Sequence, residues 1–199
     1  MKFDPIDPFV VAPALLAVTR RWVVAFCSFA QLGQYQEAAG GMRKAGGNYV
    51  RDGAWKKTNP APQMSGDRPA TWGEAIAIMH PRARAMQWNG GGHAAFWESP
   101  TARGKERLSQ TPKPVALMCQ LVEAFTLPGE IVWDAYMGSG TTGVACLELG
   151  RRFLGHELDP ALAELAARRL QGLDVKPLAP PPNPQTNIFA SAEDTKEHL

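Results

Sequence analysis

The chain has 199 residues, enough for one domain with a real core, and its 45% apolar and 20% charged residues are the balance of an ordinary globular protein. No apolar run approaches the roughly 18 residues of a membrane-spanning helix. The opening "MKFDPIDPFV" lacks the basic-then-apolar layout of a signal peptide, so the expected location is the cytoplasm.

The net charge of +2 hides an asymmetry. Residues 1–113 carry 15 Lys and Arg against 8 Asp and Glu, whereas residues 114–199 carry 6 against 11. The first part is therefore the one expected to face a polyanion.

In chain order, Asp7-Pro8-Phe9 precedes a helix-like stretch, and "WVVAFCS" (22–28) is a short β-branched and aromatic run that reads as a buried strand. "AQLGQYQEAAGGMRKAG" has looser helical spacing and stops on glycines. "NYVRDGAWKK" and "EAIAIMH" read as two more strands, separated by the Pro- and Gly-rich loop "TNPAPQMSGDRPATWG". Residues 80–110 mix Arg and Lys with Trp88, Trp97 and a Gly triplet, and read as one long functional loop. "KPVALMCQLVEAFTL" predicts an amphipathic helix, "GEIVWDA" a strand, "GTTGVACLELG" a helix ending at Gly150 and "RRFLGHE" a strand. In "DPALAELAARRL" Asp159 is the N-cap and Pro160 the first helical residue. Alternating strands and helices predict an α/β domain over residues 1–170. Residues 171–199, with "KPLAPPPNP", read as a Pro-rich disordered tail. Cys27, Cys119 and Cys146 each sit in an apolar run and read as reduced, buried thiols. His80, His93, His156 and His198 show no ligand spacing, so no metal site is expected.

The chemistry concentrates in "IVWDAYMGSGTTGVACLELGRRFLGHELDP" (131–160). Gly138, Gly140 and Gly143 fit G-x-G-x-x-G, and Glu157 follows Gly138 by nineteen residues. No Lys follows the glycines, which excludes a P-loop. A nicotinamide or flavin fold places its first Gly directly after the strand, but here Asp134 ends the strand and leaves a carboxylate at the lip of the sheet. Asp134 and Glu157 would then stand at the carboxyl ends of adjacent parallel strands. That pair suits a ligand carrying an amino-acid cation and a ribose better than one carrying a pyrophosphate. The helix start at Ser139–Thr142 offers free N–H groups to a carboxylate.

"VWDAYMGSGTTGVACLELGRRFLGHELDPALAELAARRL" resembles the S-adenosylmethionine-binding half of the DNA amino-methyltransferases, whose usual text is D-P-F-x-G-S-G-T-T. "LSQTPKPVALMCQLV" resembles the segment before it, normally H-P-T-Q-K-P. Thr111, Lys113 and Pro114 match, whereas Ser109, Gln110 and Pro112 depart, and Ala135-Tyr136 replace Pro-Phe. "AWKKTNPAPQMSGDRPATWGEAIAIMH" and "QWNGGGHAAFW" resemble the target-side strands and loop of phage-type members. The resemblance spans roughly residues 20–170. It implies a Rossmann-like class I methyltransferase sheet with helices on both faces, in circularly permuted order. It also implies S-adenosylmethionine held by Thr111, Lys113, Asp134, Gly138, Ser139, Gly140, Thr141, Thr142 and Glu157. Duplex DNA is the implied partner, in a restriction–modification setting.

Family members also carry a catalytic Asp/Asn/Ser-Pro-Pro-aromatic turn. It accepts hydrogen bonds from the exocyclic amine and stacks the flipped base. Neither Asp7-Pro8-Phe9 nor Asn59-Pro60-Ala61-Pro62 fits it, so no residue is assigned as catalytic. The strand before that turn is missing too. By family geometry it belongs mid-sheet, between the Gly-turn half and "WVVAFCS", and its loss leaves two unpaired interior edges. The expectation is a domain incomplete at its N-terminus: a piece of a longer frame, a remnant that pairs with another chain, or a chain whose first residues fill the gap imperfectly.

DNA contacts are expected from Lys56, Lys57, Arg68, Arg82, Arg84, Arg103, Lys105 and Arg107, with loop 80–110 reading sequence in a groove. "QTNIF", Gln185 to Phe189, resembles the short peptides that dock on bacterial sliding clamps. Ring-carbon methylation is disfavoured because none of the three cysteines follows a Pro. Three readings stand: a site-specific DNA methyltransferase of adenine or cytosine amines, a non-catalytic remnant binding cofactor and DNA, and, distantly, a nicotinamide-dependent oxidoreductase. Homodimerisation, the recognition sequence and a viral or cellular host stay open.

Overall fold

Eleven consecutive residues without a charged or hydroxyl side chain, Pro8–Val18, form α1; Asp7 starts it by accepting a hydrogen bond from Phe9 N at 2.9 Å. This is the first element of a computed structural model that describes residues 6–109 and 111–172. The order continues β1 (Val23–Cys27), α2 (Leu32–Ala38), β2 (Tyr49–Lys57), β3 (Gly73–Met79), β4 (Phe96–Ser99), α3 (Val115–Phe125), β5 (Ile131–Asp134), α4 (Thr141–Glu148), β6 (Arg152–Gly155) and α5 (Pro160–Leu170).

The strands form two sheets. The first has order β1-β3-β2-β4; β3 runs antiparallel to both neighbours, and β4 runs parallel to β2. β3 is central because "EAIAIM" is apolar on both faces, and its Ala75 to Met79 are all buried. The second sheet is the parallel pair β5-β6, with Asp134 level with Gly155.

One helix joins the two. Leu117, Leu121, Val122 and Phe125 repeat at helical spacing along α3 and pack under β3, β2 and β4 through Ile76, Ile78, Trp55 and Trp97. Val132 and Phe153 of the second sheet pack against the same cluster, as do Ala145 and Cys146 of α4. On the opposite face of the first sheet, Ala12 of α1 and Tyr35 and Ala39 of and beyond α2 cover Val23, Tyr49, Ala77 and Met79. The other face of the second sheet is bare among the described residues: Ile131, Trp133 and Leu154 are exposed. Among the described residues, helices cover both faces of the first sheet and one face of the second.

Residues 80–110 are not one loop. Residues 96–99 form β4, beside β2 with Trp97 level with Trp55. The Trp97 side chain is buried in the α3 cluster, and Ser99 O accepts from Trp55 Nε1 at 3.3 Å. That pairing joins strands more than forty residues apart in the sequence, so no local pattern announces it. β1 and β5, finally, each have one strand neighbour among the described residues. Their starting ends are tied by Arg21, which donates through Nη1 to both Glu130 oxygens at 2.8 Å.

Candidate functional site at the ends of β5 and β6

β5 and β6 are parallel, so their carboxyl ends fall together, and two acids stand there. Asp134 closes β5; its Oδ1 accepts from Tyr136 N at 3.0 Å and its Oδ2 from Thr142 Oγ1 at 2.6 Å. Glu157 lies two residues past Gly155; its Oε2 accepts from Gly138 N at 2.9 Å and its Oε1 from Asp159 N at 3.0 Å. Both carboxylates therefore close on the same turn, residues 138–142, from two sides. Each oxygen keeps a free lone pair for a further donor.

The turn has the backbone the glycines permit. Gly138 and Gly140 have φ of +54° and +77°, in the left-handed region. Gly140 is the N-cap of α4, so the first N–H groups of that helix open toward the turn. Ser139, Thr141 and Thr142 are buried. Arg169, in the last turn of α5, locks the arrangement by donating through Nη1 to Ser139 O at 3.0 Å and Thr141 Oγ1 at 3.2 Å. The sequence reading missed Arg169, because a basic residue in a final helical turn reads as a complement to the helix dipole. Asp159 caps α5 as expected, accepting from Ala161 N at 2.9 Å.

Asp134, Gly138, Ser139, Gly140, Thr141, Thr142 and Glu157 are thus brought together. Lys113 points elsewhere: its Nζ lies 2.9 Å from Glu74 Oε2 and 4.9 Å from the centroid of the Phe26 ring. Glu74 also takes Lys57 at 3.0 Å. Burial pushes the Glu74 carboxyl up, but the two ammonium groups outweigh it and hold the group below the usual carboxylate range. A lone acid opening an apolar strand was the signal available for this cluster. Thr111 is exposed and makes no hydrogen bond to the turn.

The basic candidates divide between the two ends of the sheet. Lys56 and Lys57 end β2, at the same end as Asp134, though Lys56 is paired with Glu98 at 2.6 Å. Arg68, paired with Asp67, lies in the loop that follows, and exposed Arg103 and Arg107, with Lys105 between them, follow β4. Burial pulls Arg169 below its ordinary value while the charge of Glu106 opposes this. Arg82 and Arg84 follow β3 at the far end. There Arg82 N donates to Asn48 Oδ1 at 2.7 Å, and Arg84 O accepts from Arg43 at 2.9 Å. Near that far end Trp88, Asn89, His93, Trp97, Gln120 and Glu123 line a cleft of about 300 Å³.

The two turns that failed the catalytic pattern have structural duties. Asp7 caps α1, and Asn59 Oδ1 accepts from Thr101 N at 2.7 Å and Thr101 Oγ1 at 3.1 Å. Burial pushes the Cys146 thiol up to about 12, with the Asp134 charge adding to it, and pushes Cys27 and Cys119 up to about 11. All three are free thiols, held protonated. Among the described residues no group of His, Cys, Asp or Glu could hold a metal ion, and no helix is long and apolar enough to cross a membrane. Gln185–Phe189 lies outside the described residues.

A family profile described as DNA methylase matches residues 80–168, from the approach to β4 through both carboxylates. Over that stretch the chain is similar to the DNA methylase family. It is 33% identical over 138 residues to the type II methyltransferase M.XycI of Xanthomonas campestris pv. cyanopsidis, covering 63% of this chain and 46% of that protein. It is 26% identical over 152 residues to the type II methyltransferase M.HinfI of Haemophilus influenzae, covering 64% and 40%. The chain therefore spans less than half the length of the curated relatives it matches. Its fold is similar to that of M1.HpyAVI in a crystal structure with SAM, with a TM-score of 0.63 and 26% identity over 81% of this chain and 83% of that one. The cytosine-N4-specific PvuII DNA methyltransferase shares the fold at a TM-score of 0.51 and 14% identity, over 63% and 52%.

Proposed function

We propose that this chain binds S-adenosylmethionine in the turn between β5 and α4 and serves methyl transfer to the exocyclic amine of adenine or cytosine in duplex DNA. The observation that carries the reading is the convergence of Asp134 and Glu157 on one Gly turn. A family match across this site and a fold relative solved with SAM support it.

The donor set suits the ligand part by part. Glu157 has acceptor capacity left for the two ribose hydroxyls, and Asp134 for the ammonium of the methionyl group. The open N–H groups at the start of α4 suit its carboxylate. Glycine at 138 and 140 permits the left-handed backbone that shapes this turn. S-adenosylmethionine supplies an electrophilic methyl group; the residues described here bind and orient it. Lys113 serves this site through Glu74, by fixing the segment that leads into α3, rather than by direct contact.

The target side rests on the basic residues at the same sheet end as Asp134: Lys57, Arg68, Arg103, Lys105 and Arg107. Calorimetry of the purified chain with S-adenosylhomocysteine and with NAD tests the ligand. Heat with the first and none with the second is expected. Binding of NAD alone would replace this reading with a nicotinamide-dependent one.

A further inference from the structure

We infer that Phe29 and Trp72 form a platform on which an unpaired nucleobase of the DNA stacks. This rests on the reading, under the proposed function, of DNA as the partner. The two rings lie with centroids 5.1 Å apart and planes tilted by 32°. Phe29 is 44% exposed and Trp72 48% exposed, so the pair stands in water with nearly half of its surface free. Neither ring serves the core. Trp22, Trp55, Trp88 and Trp97 pack with the α3 cluster, whereas Phe29 and Trp72 belong neither to it nor to the cluster under α1 and α2. Two large aromatic residues held together in water, with no packing duty, are the mark of a binding surface.

The backbone presents both rings from fixed positions. Gln31 Oε1 accepts from Ser28 N at 3.1 Å, and Ser28 O accepts from Gln31 N at 3.0 Å, which closes the turn that carries Phe29. Trp72 O accepts from Lys57 N at 2.9 Å, one step past the pairing of Lys56 with Gly73. Stacking on rings anchored this way orders little of the chain.

Their place fits the proposed reaction. Phe29 lies two residues past β1 and Trp72 one residue before β3, and these neighbouring strands set Cys27 level with Ala75. The Arg21–Glu130 pair ties the starting ends of β1 and β5, so β1 finishes on the side where Asp134 stands. Charge there suits a polyanion. Lys57 and Lys113 share the single carboxylate of Glu74, which leaves one positive charge in surplus beside the strand that Trp72 precedes. An aromatic face next to uncompensated ammonium charge matches a base carried on its phosphate backbone. An uncharged protein segment would leave that charge unused. The platform is distinct from the Pro-Pro-aromatic turn of family members, which follows the expected mid-sheet strand and neither β1 nor β3.

Fluorescence-anisotropy titrations of the 199-residue chain test this, comparing a fully paired duplex with the same duplex holding one base opposite an abasic position. The unpaired base should raise affinity about tenfold, within the range that stacking on an aromatic ring contributes. Trp72→Ala and Phe29→Ala should each remove that preference, and Trp72→Phe should retain most of it. All three should keep the wild-type slope of log affinity against log salt and the wild-type affinity for S-adenosylhomocysteine. Adenine preferred over guanine, and cytosine over thymine, at the unpaired position assigns the platform to the base that receives the methyl group. The opposite order assigns it to the partner left behind. A preference that survives both alanine variants would overturn the inference alone, as would a wild-type chain that binds the two duplexes equally. So would alanine variants that lose S-adenosylhomocysteine, since the rings would then serve the fold. A chain that binds neither duplex would overturn the platform and the proposed target side together.

Discussion

Glu157 shows most directly how one side chain couples backbone to ligand. Its carboxylate already holds Gly138 N and Asp159 N, so it fixes the Gly turn against the start of α5 before any nucleoside arrives. Hydrogen bonds to a charged group contribute about 1.5–3 kcal/mol each. Glu157→Ala should therefore weaken S-adenosylhomocysteine binding by about 1–3 kcal/mol by calorimetry, and an unchanged affinity would show that the ribose lies elsewhere. Gly143 makes a complementary point about space. A Cβ there would lie 2.7 Å from Leu170 Cδ2 and 2.8 Å from the Phe153 ring. Ala in a helix gains up to about 1 kcal/mol over Gly, whereas overpacking costs about 1–3 kcal/mol. Gly143→Ala is expected to lower the urea midpoint, and a rise would mean that Leu170 and Phe153 yield freely. Both acids and the glycines were legible in the sequence because spacing alone orders them. Arg169 was not, since its partner Ser139 is thirty residues distant and reached only through the fold.

At the scale of elements, β3 and the segment before α3 are joined by Glu74, Lys57 and Lys113. A carboxyl whose folded value is depressed stabilises the fold above the range where it titrates unfolded, about pH 4.3. That contribution disappears as pH falls through the lower, folded value. The wild-type chain should thus exceed Glu74→Gln in urea-unfolding stability at pH 7, with the gap closing as pH drops below about 4. A gap independent of pH would show that the ammonium groups do not hold Glu74 low. The strands named from sequence were those whose pattern is written locally: β1 and β3 as apolar runs, β2 as the run ahead of a Pro- and Gly-rich loop, β5 and β6 as short runs ahead of turns. β4 escaped because "FWES" alternates exposed and buried residues and follows a Gly-rich stretch. Its strand character comes from β2, over forty residues earlier. The basic loop read as one unit is therefore two segments on either side of a strand, and its arginines serve different ends of the sheet.

For the whole molecule, that division separates a binding surface from a structural one. Arg103 and Arg107 share an end with Asp134, whereas Arg82 donates to Gly46 O at 2.9 Å and packs the far end. Neutralising a phosphate-contacting Arg lowers the slope of log affinity against log salt by about 1. Arg103→Ala and Arg107→Ala should each do so in duplex-DNA titrations, and Arg82→Ala should not; the reverse order would move the DNA surface to the other end. The resemblance implied one sheet lacking a middle strand, and among the described residues the strands form two sheets, β1-β3-β2-β4 and β5-β6. The Arg21–Glu130 tie and the bare face of β5 and β6 were not anticipated, because they depend on how α3 sets one sheet beside the other. All of this turns on where the ligand sits. A backbone NMR titration with S-adenosylhomocysteine decides that, and the largest shifts should fall on residues 134–143 and 155–159. Shifts confined to the far-end cleft around Trp88 and Trp97 would contradict the account.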